Sequence, residues 1–372
     1  MWAPDEFLEQ MYQTLAAQRT AAARKGEGSG ADRETFAEDA PTRPTEAAHV
    51  HAHADMEGAG TRRARLRQRL GLSAFGPLNG PLAPVVLERV TAGDVVRERI
   101  EFSTVGGLRM PAYVVVPNGL TPGERLPGVL LWHGHGPGSR TMVGLAGDGW
   151  PAAPAGRLGD NVASALARRG LVVMVPEIAG FGDRRLQRDL RRDPNAPNSC
   201  FSLSVSLLMA GRTLAGLRVA EAMRAADYLQ TRPEVDPERI GSIGYSGGGM
   251  VTTLFAALDL RVRAAVVGIY ANTFQQSILA MPHCICNYIP GLLEDAELPD
   301  ILGLIAPRPL FIESGADDPI FPLAGTTEAV ARVKEIYRRA GCEDRFDYHI
   351  FPGRHEIWGE RSFAWLAEQL QS

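Results

Sequence analysis

Short apolar runs alternate with helical patterns along most of this chain, and this alternation restricts the possible folds more than any other feature. Near-continuous apolar runs bounded by turn-forming residues are typical of strands buried on both faces. Between the runs, apolar residues recur at three- and four-residue spacing, as they do on one face of a helix. The pattern predicts an α/β fold with a mostly parallel, twisted sheet and helices on both faces. The six runs that we interpret as its strands are Val129–Trp132, Leu171–Val175, Ile240–Ile243, Ala264–Ile269, Leu310–Glu313 and Phe346–Phe351.

Residues 1–84 differ in composition from the rest of the chain. Residues 1–25 have apolar side chains at helical spacing, and Arg62–Leu70 has the pattern of a short basic helix that ends at Gly71. Residues 26–60 are rich in Gly, Ala, Pro and Glu, which is typical of a flexible linker. We therefore expect a helical N-terminal extension with a linker inside it.

Residues 85–372 are expected to form the main domain. It begins with three strand-like runs, two of them joined by a Gly-Gly hairpin turn: Val85–Leu87, Val95–Phe102 and Leu108–Val116. Two long connections, at about residues 180–211 and 271–307, interrupt the later alternation. Both leave the carboxyl ends of strands, where ligands bind in open α/β sheets, so we expect them to form a cap over the site.

A Gly-x-Ser-x-Gly pattern, Gly244–Gly248, joins the run Ile240–Ile243 to a helical segment. Between strand and helix this pattern is typical of a nucleophile elbow, a strained turn that exposes the serine hydroxyl. The N-terminus of the following helix would favour the negative charge that develops during acyl transfer. Because such short patterns also occur by chance, the alternative is a Gly-rich turn without chemistry. Ser246 is the candidate nucleophile.

A serine hydroxyl needs a base to remove its proton, and a histidine base needs a carboxylate to orient it. His355 follows the run Phe346–Phe351, and two neighbouring aspartates, Asp317 and Asp318, follow Leu310–Glu313. The apolar-Pro pair three residues after Asp318 favours that residue, with Asp317 as the alternative. We predict a triad in the chain order Ser246, Asp318, His355.

Backbone N–H groups after the nucleophile and after an earlier strand are expected to hold the oxyanion. Gly247 would supply the first, and His135 in the His-Gly-His-Gly sequence that follows Val129–Trp132 would supply the second. We also expect four side chains close to these elements to contact the substrate: His133, Tyr245, His283 and Tyr288.

Three groups of residues have the composition of metal ligands. They are the histidine pair His133 and His135, the alternating tract His49–Asp55, and the fragment His283–Cys286. The tract lies in the expected linker, and the other two lack a further ligand at a usual spacing. We predict that none of them binds a metal.

Composition restricts the partners. The 372-residue chain has 39 basic and 43 acidic residues and a net charge of −4, which argues against a nucleic-acid or membrane-surface partner. The acidic N-terminus lacks a secretory pattern, and the four cysteines favour a reduced, cytoplasmic protein. The N-terminal helix could pack on a second subunit, so a homo-oligomer is possible.

Taken together, these motifs resemble a known superfamily. From about residue 85 to 372 the chain resembles the α/β-hydrolases, and it looks most like the dienelactone-hydrolase and acetyl-xylan-esterase-like branch. The branch differs from this chain at three positions: dienelactone hydrolases carry Cys at Ser246, acetyl xylan esterases usually carry Gln at Gly247, and Asp is usual at Glu177. The matching segments are His133–Gly136, Pro176-Glu177, Gly180–Gly182, Gly211–Thr213, Val235–Gly241, Gly244–Gly249, Ala306–Pro309 and Gly353–His355.

The resemblance implies an α/β-hydrolase fold and a serine hydrolase that cleaves small carboxylic esters through an acyl-enzyme intermediate, without a cofactor. Two other functions stay open. The same triad serves amidases and peptidases, and a hydrolase fold with a broken triad would be a non-catalytic binding protein.

Overall fold

One nine-stranded sheet organises the part of the chain that the computed structural model describes. Its backbone covers residues 4–28, 45–146 and 161–372, with side chains over 8–21, 58–146 and 161–372. All nine predicted strands are present, in the order β1-β2-β3-β5-β4-β6-β7-β8-β9. The strands are β1 (Val85–Ala92), β2 (Val95–Ser103), β3 (Arg109–Pro117), β4 (Leu126–Trp132), β5 (Val172–Pro176), β6 (Val235–Tyr245), β7 (Val262–Gly268), β8 (Leu310–Gly315) and β9 (Phe346–Phe351).

The sheet has an antiparallel part and a parallel part. β1, β2 and β3 pair antiparallel, and β3 pairs antiparallel with β5. From β5 through β4 and β6 to β9 every pairing is parallel. This arrangement confirms the expected mostly parallel sheet with a hairpin before it. Because six parallel strands point the same way, the loops that follow them emerge at one edge.

Twelve α-helices lie among the described residues, on both faces of the sheet or in the connections. They are α1 (Pro4–Gly28), α2 (Thr45–Leu70), α3 (Ser139–Met142), α4 (Val162–Ala167), α5 (Gln187–Arg192), α6 (Cys200–Met209), α7 (Leu214–Thr231), α8 (Gly247–Leu258), α9 (Leu292–Asp295), α10 (Leu298–Gly303), α11 (Leu323–Arg339) and α12 (Ser362–Gln371).

The core has two layers because side chains alternate between the two faces of a strand. In β4, Leu130 and Trp132 face the layer that contains α7 and α8. Val129 and Leu131 face the other layer, which contains α4 and α12. Both faces are thus apolar, which explains the uninterrupted apolar runs in the sequence.

The start of α8 approaches the sheet so closely that a side chain cannot fit. A Cβ at position 248 would lie 2.1 Å from the carbonyl oxygen of Trp132, and a Cβ at Gly244 would lie 2.2 Å from the carbonyl oxygen of Gly248. Real Cβ atoms do not approach backbone oxygens this closely. The two glycines therefore let the strand β6, the helix α8 and the end of β4 pack together.

The N-terminal extension packs on the main domain through α2. Leu66 and Leu70 are buried in the core, while Arg63 and Arg67 donate hydrogen bonds to the carbonyl oxygens of Ala257 and Leu258 at the end of α8, at 3.0 and 3.1 Å. These cations satisfy carbonyl groups that the end of a helix leaves without partners.

The extension also corrects the sequence interpretation. α2 begins at Thr45, whereas the sequence predicted a helix only from Arg62 and a linker over residues 26–60. The physical reason is composition: the segment is rich in alanine, which has the highest helix propensity of all residues. Residues 29–44 lie outside the described part of the chain, and the domain boundary at residue 84 stays a prediction.

Both long connections carry short helices. Residues 180–211 contain α5 and α6, and residues 271–307 contain a 3₁₀ turn, Ile285–Asn287, followed by α9 and α10. No single helix of the described chain has the length and apolarity to cross a membrane; α6 and α7 together pass that test but meet at a bend of 99°.

The close approach of α8 to β4 gives a prediction for stability. Gly248→Ala should lower the free energy of unfolding by roughly 3 kcal/mol or more, because the new methyl group meets the Trp132 carbonyl and the backbone must shift. The measurement is urea-induced unfolding followed by circular dichroism. Gly80→Ala is the matched control: its Cβ meets nothing within 4 Å, so the change should stay within about 0.5 kcal/mol. Equal effects of the two substitutions would contradict the packing argument.

Candidate active site

Ser246 occupies the strained position that the pentapeptide predicts. Its φ of 54° and ψ of −118° are rare for a residue with a side chain, and such strain typically costs on the order of 1–3 kcal/mol. The turn is held by hydrogen bonds on both sides: Ser246 N donates to Gly268 O at 2.9 Å, and Met250 N donates to Ser246 O at 3.0 Å. Ser246 therefore lies between the end of β6 and the start of α8, at the carboxyl edge of the sheet.

His355 and Asp318 meet at the same edge. Nδ1 of His355 lies 2.7 Å from Oδ2 of Asp318, whose side chain is fully buried. Oδ1 of Asp318 accepts hydrogen bonds from the backbone N–H groups of Ile320 and Phe321, both at 3.0 Å. One carboxylate oxygen thus fixes the loop, and the other orients the imidazole. Asp317, the alternative that the sequence left open, is exposed to solvent.

The loop after β4 lies directly against the elbow. A Cβ at Gly134 would lie 3.3 Å from Cβ of Ser246, and a Cβ at Gly247 would lie 2.7 Å from Nδ1 of His135. Gly247 is the first residue of α8, and the first N–H groups of a helix have no partner within the helix. The loop after β4 therefore packs against both Ser246 and the first residue of α8, and the oxyanion hole formed by the N–H groups of His135 and Gly247 stays a prediction.

Known proteins are similar to this chain in sequence and in fold. The model of the dienelactone hydrolase family matches residues 158–335. Among curated proteins, a candidate hydrolase of Bacillus subtilis (strain 168), YtaP, is 27% identical over 292 residues, which cover 76% of this chain and 90% of YtaP.

Solved structures share the fold. A candidate acetyl xylan esterase (BF1801) from Bacteroides fragilis NCTC 9343 superposes with a TM-score of 0.66 at 16% identity, over 85% of this chain and 84% of its own. A glucuronoyl esterase from Solibacter usitatus superposes with a TM-score of 0.57 at 18% identity, over 83% and 92%. The chain has the α/β-hydrolase fold, and residues 158–335 are similar in sequence to the dienelactone hydrolase family. At identities of 16% and 18%, these superpositions show a shared fold and do not show a shared substrate.

Phe321 lies between His355 and the connection over residues 271–307. Its ring stacks on His355 with centroids 5.6 Å apart and meets His283 edge-on at 5.2 Å. Burial lowers the pKa of His283, and the nearby rings of His355 and His135 lower it further. A neutral His283 thus lies beside Phe321, close to His355, and its predicted contact with a substrate stays a prediction. Tyr288 is 38% exposed, and its hydroxyl donates to Ile278 O at 3.0 Å.

Two of the predicted substrate contacts are wrong in position. His133 is 1% exposed: its Nδ1 lies 2.8 Å from Gly134 O, and its Nε2 accepts from Ile178 N at 3.1 Å. Tyr245 is 2% exposed and lies in the core layer that contains α12. Both residues lie directly before loop positions, Gly134 and Ser246, but their own side chains are buried inside the protein.

Glu177 is a buried residue of this hydrolase that the sequence noted only as a departure from its relatives. It accepts from the backbone and the hydroxyl of Ser139, at 3.1 and 2.7 Å, and lies 3.3 Å from His133. Burial alone would raise the pKa of this carboxyl, and its contacts with His133 and Ser139 lower it instead. A Cβ at Gly138 would lie 2.2 Å from Oε1 of Glu177, so the longer acid fits because of that glycine.

A sulfur-rich cluster beside the oxyanion loop was not anticipated. The ligand-type atoms of His135, Cys200, Cys284 and Cys286 all lie within 4.8 Å of one another. The sequence analysis predicted that the pair His133 and His135 and the fragment His283–Cys286 do not bind a metal. That prediction did not consider Cys200, which comes from another segment of the chain. No spacing signal connects these residues in sequence. The side chains of the tract His49–Asp55 lie outside the described residues.

Contacts within this cluster shift the pKa values of Cys286 and His135. Hydrogen bonds from the thiols of Cys200 and Cys284, together with the Arg218 guanidinium, hold the pKa of Cys286 well below its usual range. Burial would lower the pKa of His135, but its contacts with the Cys200 and Cys286 sulfurs outweigh burial and raise it to about 9.

The contact between His355 and Asp318 has a spectroscopic consequence. A hydrogen-bonded Nδ1–H that is shielded from water should give a low-field proton NMR signal, and Asp318→Asn should shift or remove it because the charged acceptor is lost. Asp317→Asn is the matched control, since its exposed side chain should leave the signal unchanged. A signal that responds equally to both substitutions would contradict the assignment of Asp318.

Proposed function

We propose that this protein is a serine hydrolase that cleaves carboxylic esters through Ser246, His355 and Asp318. The observation that carries the proposal is the 2.7 Å contact between His355 Nδ1 and buried Asp318, at the same sheet edge as the strained Ser246. A base oriented by a carboxylate is what a serine nucleophile needs, and the elbow exposes the hydroxyl.

In the first half of the proposed reaction, Oγ of Ser246 forms a bond to the carbonyl carbon of the ester, while Nε2 of His355 takes the hydroxyl proton. The carbonyl oxygen becomes an oxyanion, which the backbone N–H groups of His135 and Gly247 stabilise. His355 then gives its proton to the leaving alcohol as the carbon–oxygen bond breaks, and the acyl group stays on Ser246.

In the second half, water attacks the acyl-enzyme. His355 takes a proton from the water, and the same N–H groups hold the second oxyanion. When the bond to Oγ breaks, His355 returns the proton to Ser246 and a carboxylic acid leaves. Asp318 stabilises the imidazolium in both halves, and serine chemistry of this kind needs no cofactor.

A small ester is the proposed substrate. The structural relatives described above are named for acetyl xylan and glucuronoyl ester cleavage, so esters of sugars are reasonable first candidates. Position 247, directly after the proposed nucleophile, carries Gly in this chain. Acetyl xylan esterases usually carry Gln at this position, and here the space is taken by the His135 ring.

Turnover of an aryl acetate tests the nucleophile and the acid. Ser246→Ala should lower kcat by about 10⁴-fold or more, because the acyl-enzyme cannot form. Asp318→Asn should lower kcat by roughly 10²–10⁴-fold with little change in KM, because the imidazole loses its orientation and its counter-charge. Both variants should unfold at the wild-type temperature within a few degrees.

Asp317→Asn is the matched control for the acid, and it should keep wild-type turnover. Retained activity in Ser246→Ala would remove the serine from the mechanism. If Asp317→Asn lowers kcat as much as Asp318→Asn does, the assignment of Asp318 as the acid is contradicted.

An amidase or peptidase with the same triad is the alternative to an esterase. Comparison of a 4-nitrophenyl ester with the 4-nitroanilide of the same acid separates the two. We expect kcat/KM for the ester to exceed that for the anilide by several orders of magnitude, because the amide carbonyl is less electrophilic and the amine is a poorer leaving group. Comparable values for the two substrates would favour the amidase.

A further inference from the structure

Four side chains with soft or borderline ligand atoms converge beside the oxyanion loop. The Sγ atoms of Cys200, Cys284 and Cys286 and a ring nitrogen of His135 all lie within 4.8 Å of one another. Nε2 of His135 lies 3.3 Å from Sγ of Cys286. In a tetrahedral zinc site with Zn–S bonds of about 2.3 Å, neighbouring ligand atoms are about 3.7 Å apart. The four atoms thus need to move by about 1 Å or less to enclose an ion.

The four residues come from three different segments. His135 lies in the loop after β4, Cys200 is the first residue of α6, and the two other cysteines lie in the connection over residues 271–307. A 3₁₀ turn, in which Asn287 N donates to Cys284 O at 3.0 Å, brings the thiols of Cys284 and Cys286 to one side. Neither proposed catalytic step uses any of these sulfur atoms.

Burial of the cluster favours a bound ion. Cys200 and Cys286 are 1% and 2% exposed, so two ligands are shielded from water. Cys284 is half-buried and His135 is exposed on its outer side, which leaves a route by which an ion can reach the site.

A buried arginine supplies the matching charge. The guanidinium of Arg218 is 3% exposed and donates to Sγ of Cys200 at 3.2 Å and to Ala179 O at 2.9 Å. Among the described residues, no carboxylate lies within ion-pair distance of it. A zinc ion with three thiolates and a neutral histidine carries one negative charge, which this cation would neutralise.

We propose that His135, Cys200, Cys284 and Cys286 form a structural binding site for a thiophilic divalent cation of the Zn²⁺ class. The Cys₃His set is one of the ligand sets of closed, four-coordinate structural zinc sites. Bound there, the ion joins both long connections to the oxyanion loop. It thereby fixes the backbone of His135 relative to Gly247 without taking part in the ester chemistry.

A disulfide explains the cluster less well. Two of the cysteines are one residue apart, a poor geometry for a bond with each other. A disulfide from Cys200 to either of them would use two sulfurs and leave the third thiol, the histidine and the arginine without a role. Four ligand atoms and one counter-charge are all used when a metal is bound.

Titration of the full-length chain with Co²⁺ tests the proposal. The protein is first treated with a chelator under reducing conditions, and Co²⁺ is then added as a spectroscopic substitute for Zn²⁺. We expect one equivalent to produce thiolate-to-cobalt charge-transfer bands and the visible bands of a tetrahedral ion. One equivalent of Zn²⁺ should abolish both. The His49–Asp55 tract contains no cysteine, so cobalt bound there cannot give the thiolate bands.

Single substitutions locate the site. Cys200→Ser, Cys284→Ser and Cys286→Ser should each weaken Zn²⁺ binding by at least about 100-fold, more than the loss from a residue that only supports a ligand. Cys342→Ser is the matched control: it is also a buried free cysteine, but its thiol lies beside Tyr337 O, so its variant should bind one equivalent as wild type does. Zn²⁺ should also raise the unfolding temperature of wild type and of Cys342→Ser, but not that of the three variants at Cys200, Cys284 and Cys286.

Three outcomes would overturn the proposal. The first is wild-type protein that gives no thiolate bands with Co²⁺, and the second is loss of the bands in Cys342→Ser. The third is a disulfide that involves Cys200. It would be present in protein prepared without reductant, and after reduction it would form again even when the metal ion is supplied. Ser246→Ala should bind the ion as wild type does, so this test is separate from the proposed esterase activity.

Discussion

The site depends on the contact between the first turn of α8 and the end of β4. Without side chains at Gly244 and Gly248, the helix backbone lies against the Trp132 carbonyl, and the elbow, the strand and the oxyanion loop occupy one small volume. In this arrangement Ser246 has a strained backbone conformation, with a φ of 54°. Because α8 is buried along its whole length, the surrounding core is in a position to stabilise that strain.

The sheet could be predicted from the sequence because it follows from strong local signals, and the same signals place the three proposed triad residues after strands. Apolar runs locate strands that are buried on both faces, and the carboxyl ends of parallel strands lie at one edge. Three polar residues that each follow such a strand therefore come close together, whatever their separation along the chain. Geometry favours Asp318 over Asp317, since the side chain of Asp317 is exposed and that of Asp318 accepts two backbone N–H groups and lies beside His355.

Other features could not be read from the sequence, for different physical reasons. The direction of a side chain at the end of a strand depends on register, so His133 and Tyr245 looked like pocket residues although they point into the core. Low apolar content suggested a linker where alanine-rich helix forms in α2. The ligand-type cluster joins three segments, and His135 and Cys286 are brought together by tertiary packing alone, so no periodicity or spacing reveals it.

The two ends of α8 are held by different parts of the chain. Its first turn carries the nucleophile, while its last carbonyl groups, about 18 Å away along the helix axis, accept hydrogen bonds from Arg63 and Arg67 of α2 and from Arg308. A rigid helix transmits displacement from one end to the other. The N-terminal extension thus contacts the same helix that carries Ser246 at its first turn, although it lies at the opposite end of that helix.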